Sequence, residues 1–120
     1  MKRSHQSLIE KLLVTPLEEI AISVVTEAEL LYGVHISPKP KLVRTAFDAF
    51  IKHVSVRDWT RAAAQDYADI RATLHKRGQM IGANDLMIAA HARSLQATLV
   101  TNNLREFGRV KGLAVENWTK

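Results

Sequence analysis

Cysteine is absent from this 120-residue chain, which excludes disulfides, thiol catalysis and cysteine-ligated zinc. Long apolar runs are missing as well; none approaches the roughly 20 residues needed to span a bilayer. The opening Met1-Lys-Arg-Ser-His-Gln-Ser-Leu-Ile-Glu10 is polar and lacks the apolar stretch of a secretory leader. Together these absences predict a soluble, cytoplasmic protein with no membrane partner. There is no glycine-rich phosphate loop and no G-x-S-x-G elbow, and the five histidines form no HxxxH-type ligand set. No repeat, low-complexity tract or linker divides the chain, so residues 1–120 read as a single domain. Hydrophobic residues make up 47% of the sequence, enough for a core.

The formal charge is +5. A basic balance favours anionic partners, nucleic acid first among them. The cations are dispersed, however, with no long Lys/Arg block.

Periodicity predicts alternating helices and strands. Ser7 to Val14 reads as a short helix closed by Pro16. Ile20-Ala-Ile-Ser-Val-Val25 is apolar on both faces and rich in β-branched residues, as a buried parallel strand is. Thr26 is expected to begin a helix that stops near Gly33, and Ser37-Pro-Lys-Pro40 a stiff loop. Leu42 to Ile51 carries a helical apolar stripe of Leu42, Val43, Ala46, Phe47, Phe50 and Ile51. Val54 to Val56 reads as a short strand. Thr60 caps a helix reaching Arg77, with Gly78 as its stop signal. Asn84 or Asp85 opens a further helix to about Ser94. Ala97 to Thr101 is a strand, Asn103 begins a short helical turn, and Leu113 to Val115 is a last strand. Strands alternating with helices predict an α/β fold with a mostly parallel sheet.

Three acids follow β-like runs: Glu29, Asp85 and Glu106, each placed by this reading in a first helical turn. Each has a structural explanation. Thr26-x-x-Glu29 and Asn103-x-x-Glu106 fit capping boxes, and Asn84-Asp85 puts an acid where the helix dipole favours one. Their joint pattern has a second meaning, because sites in parallel α/β sheets form beyond the carboxyl ends of strands. Gathered there, carboxylates repel by about 1 kcal/mol or more per close pair, and a hard divalent cation removes that repulsion. Mg²⁺ or Mn²⁺ suits carboxylate and water oxygens. Such an ion orients a water, lowers its pKa and neutralises a phosphoryl oxygen. Asn103 and Thr101 are supporting candidates, as amide and hydroxyl partners. Arg105 and Arg109 flank Glu106 and are candidate phosphate contacts, with solvated surface as the alternative. His91 is off the i+3 and i+4 positions from Asp85 and reads as a packing or surface residue. Trp59 and Trp118 read as core or rim aromatics before base-stacking ones.

In order and spacing, these segments resemble the PIN-domain ribonucleases, especially VapC-type toxins of bacterial toxin–antitoxin pairs. Ile22-Ser-Val-Val-Thr26-x-x-Glu29-Leu-x-x-Gly33 is similar to the second acidic motif of that family. Ile81-Gly-Ala-Asn-Asp85-x-x-Ile-Ala-Ala-His-Ala92 is similar to the third, and Leu99-Val-Thr-Asn-Asn103-x-Arg-Glu106-Phe107 to the fourth. Val115-Glu-Asn-Trp118 resembles the usual tail. The resemblance covers nearly the whole chain. It implies a three-layer α/β/α sandwich around a mostly parallel sheet. It also implies Mg²⁺- or Mn²⁺-dependent hydrolysis of RNA phosphodiesters, with Glu29, Asp85 and Glu106 as metal-binding catalytic acids. Homodimers are common in the family, and a cognate antitoxin covers the acidic groove with its C-terminal segment. Members most like this chain cut structured RNA such as initiator tRNA.

The sequence departs from the family in two places. The family pattern opens with a central strand ending in an aspartate, such as Leu-Asp-Thr-Asn, whereas Met1-Lys-Arg-Ser-His resembles the helix that follows it. The expectation is therefore a chain shortened by one strand and its metal ligand, with weak or absent cleavage. Asp48, Asp58, Asp66 and Asp69 fall in segments that resemble the family's helical arm and replace nothing. The second departure is Asn103, where some relatives carry aspartate. Two rival readings stand beside the nuclease: a non-catalytic PIN remnant that binds antitoxin, and a basic RNA-binding module.

Overall fold

The computed structural model describes residues 21–101 and 103–117. The helix expected over Ser7 to Val14, Ile20 of the first strand, and Trp118 lie outside the described residues. The chain separates into two units, one reaching to Asp58 and the other starting at Trp59.

In the smaller unit, β1 (Ala21–Ser23) leads directly into α1 (Val24–Ile36). The strand expected to run to Val25 thus ends two residues earlier. Ser23 is the reason: its Oγ accepts from the Val25 N–H at 3.0 Å, satisfying a donor at the open end of a helix. That local bond overrides the strand preference of Val24 and Val25. The expected Thr26 cap is therefore displaced to Ser23, and the Thr26–Glu29 capping box is not formed. Pro40 does not extend the preceding loop but opens α2 (Pro40–Ile51), a position where its missing N–H costs nothing. β2 (Ser55–Arg57) pairs in parallel with β1, with Ile22 opposite Val56. The apolar stripe of α2 is present in sequence, but no residue of this helix is buried. Val34 of α1 is the buried residue of the α1–α2 pair.

The larger unit is built on α3 (Arg61–Arg77) and α4 (Ala83–Ser94), the most extensively packed pair of elements. Both predicted ends of α3 hold. Thr60 accepts from the Ala63 N–H at 3.3 Å, and Gly78 closes the helix in the left-handed region at φ +65°. Ile70 and Leu74, four residues apart, present one face of α3 to the core. Leu86, Ala89 and Ala90 do the same from α4, where the two alanines are fully buried and allow close approach. Ile81, Phe107 and Val110 complete this core. Fully burying Leu74, at 1% exposure, contributes about 1.5–3 kcal/mol. Trp59 joins the rim, donating from Nε1 to the Met87 carbonyl at 3.1 Å and meeting Tyr67 edge-on. His91 is buried too, in keeping with its packing reading.

β3 (Thr98–Val100) and β4 (Ala114–Glu116) pair in parallel, with Leu99 opposite Val115, and the Thr101 N–H extends the pairing to the Glu116 carbonyl. Between them lies α5 (Leu104–Phe107), a single turn. The parallel pairing expected from the sequence is thus found in both units, as two two-stranded sheets among the described residues.

Candidate active site

Asp85 is the third residue of α4, behind Gly82 as N-cap rather than Asn84 or Asp85 itself. Its side chain turns back over the helix start. A Cβ placed on Gly82 would lie 3.6 Å from Asp85 Oδ2, ordinary contact distance. A carboxylate so placed is favoured by the exposed N–H groups and dipole of the first turn. Asp85 is half-buried.

Glu106 is the third residue of α5, and Asn103 is its N-cap, as the sequence predicts. The bonding differs from a capping box. The Asn103 side chain does not accept from the helix backbone; its Nδ2 instead donates to Glu106 Oε1 at 3.1 Å. Thr101 Oγ1 in turn accepts from the Asn103 N–H at 3.0 Å. Thr101, Asn103 and Glu106 thereby form one hydrogen-bonded series on the turn after β3. Thr101 fixes the backbone of Asn103, and the Asn103 amide aims one oxygen of Glu106.

Glu29 stands in the smaller unit, exposed, in the second turn of α1 rather than the first. The shift follows from the Ser23 cap, and Glu27 takes the first-turn position. Thr26 lies one turn before Glu29 on the same helix. Asp85 and Glu106 belong to the larger unit. Among the described residues, no three His, Asp or Glu side chains are gathered so that they could hold a metal ion. The donor chemistry fits a hard cation nonetheless: oxygen donors, partly or fully accessible, with no thiol in the chain.

The flanking arginines differ from each other. Arg105 is exposed. Arg109 donates through Nη1 to the carbonyls of Gln79 and Met80, at 3.3 and 3.2 Å, and so ties the turn after α5 to the segment before α4. One group was missed by the sequence reading. Arg93 of α4 donates from Nε to Asp66 Oδ1 at 2.6 Å, from Nη2 to Asp69 Oδ2 at 2.7 Å, and from Nη1 to the Lys111 carbonyl at 3.0 Å. Burial alone lowers the Arg93 pKa, but the hydrogen bonds and charges of Asp69 and Asp66 outweigh it and hold the guanidinium above its ordinary value. The signal was the i, i+3 spacing of two acids on α3, which places both on one helix face.

No helix among the described residues is long and apolar enough to cross a membrane. The PIN domain matches residues 2–113. The chain is 43% identical to ribonuclease VapC2 of Rickettsia felis over 101 residues, covering 84% of this chain and 75% of that protein. It is likewise 43% identical over 101 residues to the tRNA(fMet)-specific endonuclease VapC of Shigella flexneri, covering 84% and 76%. Among solved structures, VapBC-1 from nontypeable Haemophilus influenzae superposes with a TM-score of 0.88 at 34% identity, covering 96% of this chain and 87% of that one. These relatives favour the nuclease reading over the non-catalytic alternative, and PIN-domain ribonucleases in general depend on a divalent metal. The α/β architecture, the acidic motifs in their order and these likenesses lead to one assignment: the chain belongs to the PIN-domain family, among the VapC ribonucleases.

Proposed function

We propose that this chain is the toxin of a VapC-type toxin–antitoxin pair, an endoribonuclease of the cytoplasm that hydrolyses RNA phosphodiester bonds, tRNA among its substrates. The observation that carries this reading is the oriented carboxylate of Glu106 in the Thr101–Asn103–Glu106 series, together with Asp85 folded over the start of α4. Glu106 is oriented through Oε1 by the Asn103 amide N–H, and Asp85 sits half-buried in the first turn of its helix.

Glu29, Asp85 and Glu106 are the residues that would hold the cation, Mg²⁺ or Mn²⁺. When bound, the ion supplies Lewis-acid stabilisation of phosphoryl charge and lowers the pKa of water. The chain's own contribution is positioning. Asn103 keeps Glu106 in one orientation, so less side-chain entropy is lost when a ligand binds. The carboxylate of Asp85 stands at a helix start, where the first-turn N–H groups and the dipole favour its charge. A cognate antitoxin and a second copy of the chain are the protein partners in this reading.

The test is cleavage of tRNA in Mg²⁺. It compares this chain with an extended form that carries a family-type Leu-Asp-Thr-Asn strand added at the N-terminus. Cleavage by the extended form should vanish with EDTA and fall at least a hundredfold in Asp85→Asn. An extended form that leaves tRNA intact overturns the enzyme reading. Cleavage unaffected by Asp85→Asn and Glu106→Gln overturns the assignment of the acids.

A further inference from the structure

A cavity of about 350 Å³ opens on the larger unit, formed by α3, the end of α4 and the turn after α5. None of the three acids lines it. Its polar wall consists of Arg77, Arg93, Arg109 and Lys111, with Thr73 and a single carboxylate, Asp69. Arg93 is neutralised locally by Asp66 and Asp69. Arg77 and Lys111 are exposed and make no ion pair among the described residues. Arg109 has one guanidinium nitrogen on backbone carbonyls and makes no ion pair among the described residues. Three further cations therefore face the cleft, against the one surplus negative charge that the two carboxylates paired with Arg93 leave there.

We propose that this cleft is a phosphate-binding subsite for the RNA backbone, separate from the acidic residues. Three features argue for it. Guanidinium forks match phosphate oxygens in pairs, and a lysine adds a point charge. The cleft is larger than one phosphate needs, and its cations come from three segments, which suits the repeated charges of a polynucleotide better than one small anion. The cleft is also pre-formed: Arg93 fastens α4 to α3 and to the Lys111 carbonyl, and Arg109 fastens the same turn to the segment after α3. Its cations are thus carried on a braced frame, which lowers the ordering cost of binding. In function the cleft holds an RNA strand at a distance from the scissile bond, which fixes register and adds affinity without carrying sequence information.

The inference rests on the reading of RNA as substrate, but it fails separately, because binding is measured with cleavage switched off. The protein is the full chain carrying Asp85→Asn. The probe is a fluorescently labelled single-stranded RNA, titrated by anisotropy over a range of KCl concentrations. Arg77→Gln with Lys111→Gln should weaken binding on the order of tenfold at low salt. It should also reduce the slope of log affinity against log salt by about 1.4, or 0.7 per cation removed. The control is Lys39→Gln with Lys41→Gln in the smaller unit, which removes the same charge elsewhere. Equal slopes for the two double variants overturn the proposal, since net charge alone then explains the effect. Unchanged RNA binding with weakened binding of poly-glutamate also overturns it, in favour of an acidic peptide. A second measurement needs no substitution at the cleft. In the Asp85→Asn protein, amide resonances of residues 77–78 and 110–112 should shift on adding RNA, and silence there overturns the proposal whatever the variants do.

Discussion

Replacing Arg93 by methionine removes the guanidinium while keeping most of the side chain's length and apolar contact. The two ion pairs it breaks are unequal. Asp69 is 66% exposed, so its pair, although only 2.7 Å long, competes with water and contributes about 0–1 kcal/mol. Asp66 is 27% exposed and Arg93 only 18%, and their 2.6 Å contact is a charge-assisted hydrogen bond worth roughly 1.5–3 kcal/mol. The bond to the Lys111 carbonyl adds about another 1 kcal/mol. Arg93→Met is therefore expected to destabilise the chain by about 3 kcal/mol. With a urea dependence of about 1–3 kcal/mol per molar, the unfolding midpoint should fall by about 1–3 M.

The assay is urea denaturation of the single variants Arg93→Met, Asp66→Asn and Asp69→Asn and of the two doubles that contain Arg93→Met. The cycles isolate pairwise coupling. Arg93 with Asp66 should couple by about 1.5–3 kcal/mol, and Arg93 with Asp69 by less than about 1. Added salt should erode the Asp69 coupling and spare most of the Asp66 coupling, because the exposed pair is the one that ions screen. Equal couplings, or an Asp66 coupling below about 0.5 kcal/mol, would refute the argument that burial grades these pairs.

Thr60→Ala should cost about 1 kcal/mol by removing the acceptor for the Ala63 N–H, with Thr60→Ser restoring most of it; thermal melts read both. Gly108→Ala should cost on the order of 1–3 kcal/mol, because the new methyl would sit 2.6 Å from the rigid Leu104 carbonyl oxygen, and a urea midpoint equal to wild type would contradict it.

Local chemistry was legible and long-range chemistry was not. Thr60 and Gly78 bracket α3 because each acts on groups within a turn of itself, so the sequence contains all the relevant partners. The start of α1 was misplaced for a related reason. Ser23 and Thr26 are both able caps, three residues apart, and nothing in the string says that Ser23 accepts from Val25. Once Ser23 wins, Glu29 moves from the first turn to the second and its capping explanation falls away. The Thr101–Asn103–Glu106 series was half legible: the residues were identified, but the direction of the Asn103 amide needed coordinates. Arg93 and its acids are 27 and 24 residues apart, and the cations of the cleft are spread from Arg77 to Lys111. Dispersal along the chain made those charges look like a solvated surface, although the fold collects them. The stripe on α2 is the opposite case, plain in sequence and yet unburied among the described residues.

The structural and functional accounts of Asp85 are not competitors. A carboxylate in the first turn of a 12-residue helix gains about 0.3–1 kcal/mol from the dipole and the unpaired N–H groups. Bringing a second carboxylate to about 4 Å in a watery cleft costs about 1 kcal/mol. The two magnitudes are similar, so a helix start can carry an acid toward other acids with little net penalty before any cation binds. Substitution by asparagine keeps the shape and much of the acceptor capacity of Asp85 but removes the charge. Stability and nuclease activity should consequently separate in Asp85→Asn, with a shift of at most about 1 kcal/mol in folding beside a large loss of cleavage. A variant that loses both together, by several kcal/mol, would mean that Asp85 is a structural residue alone.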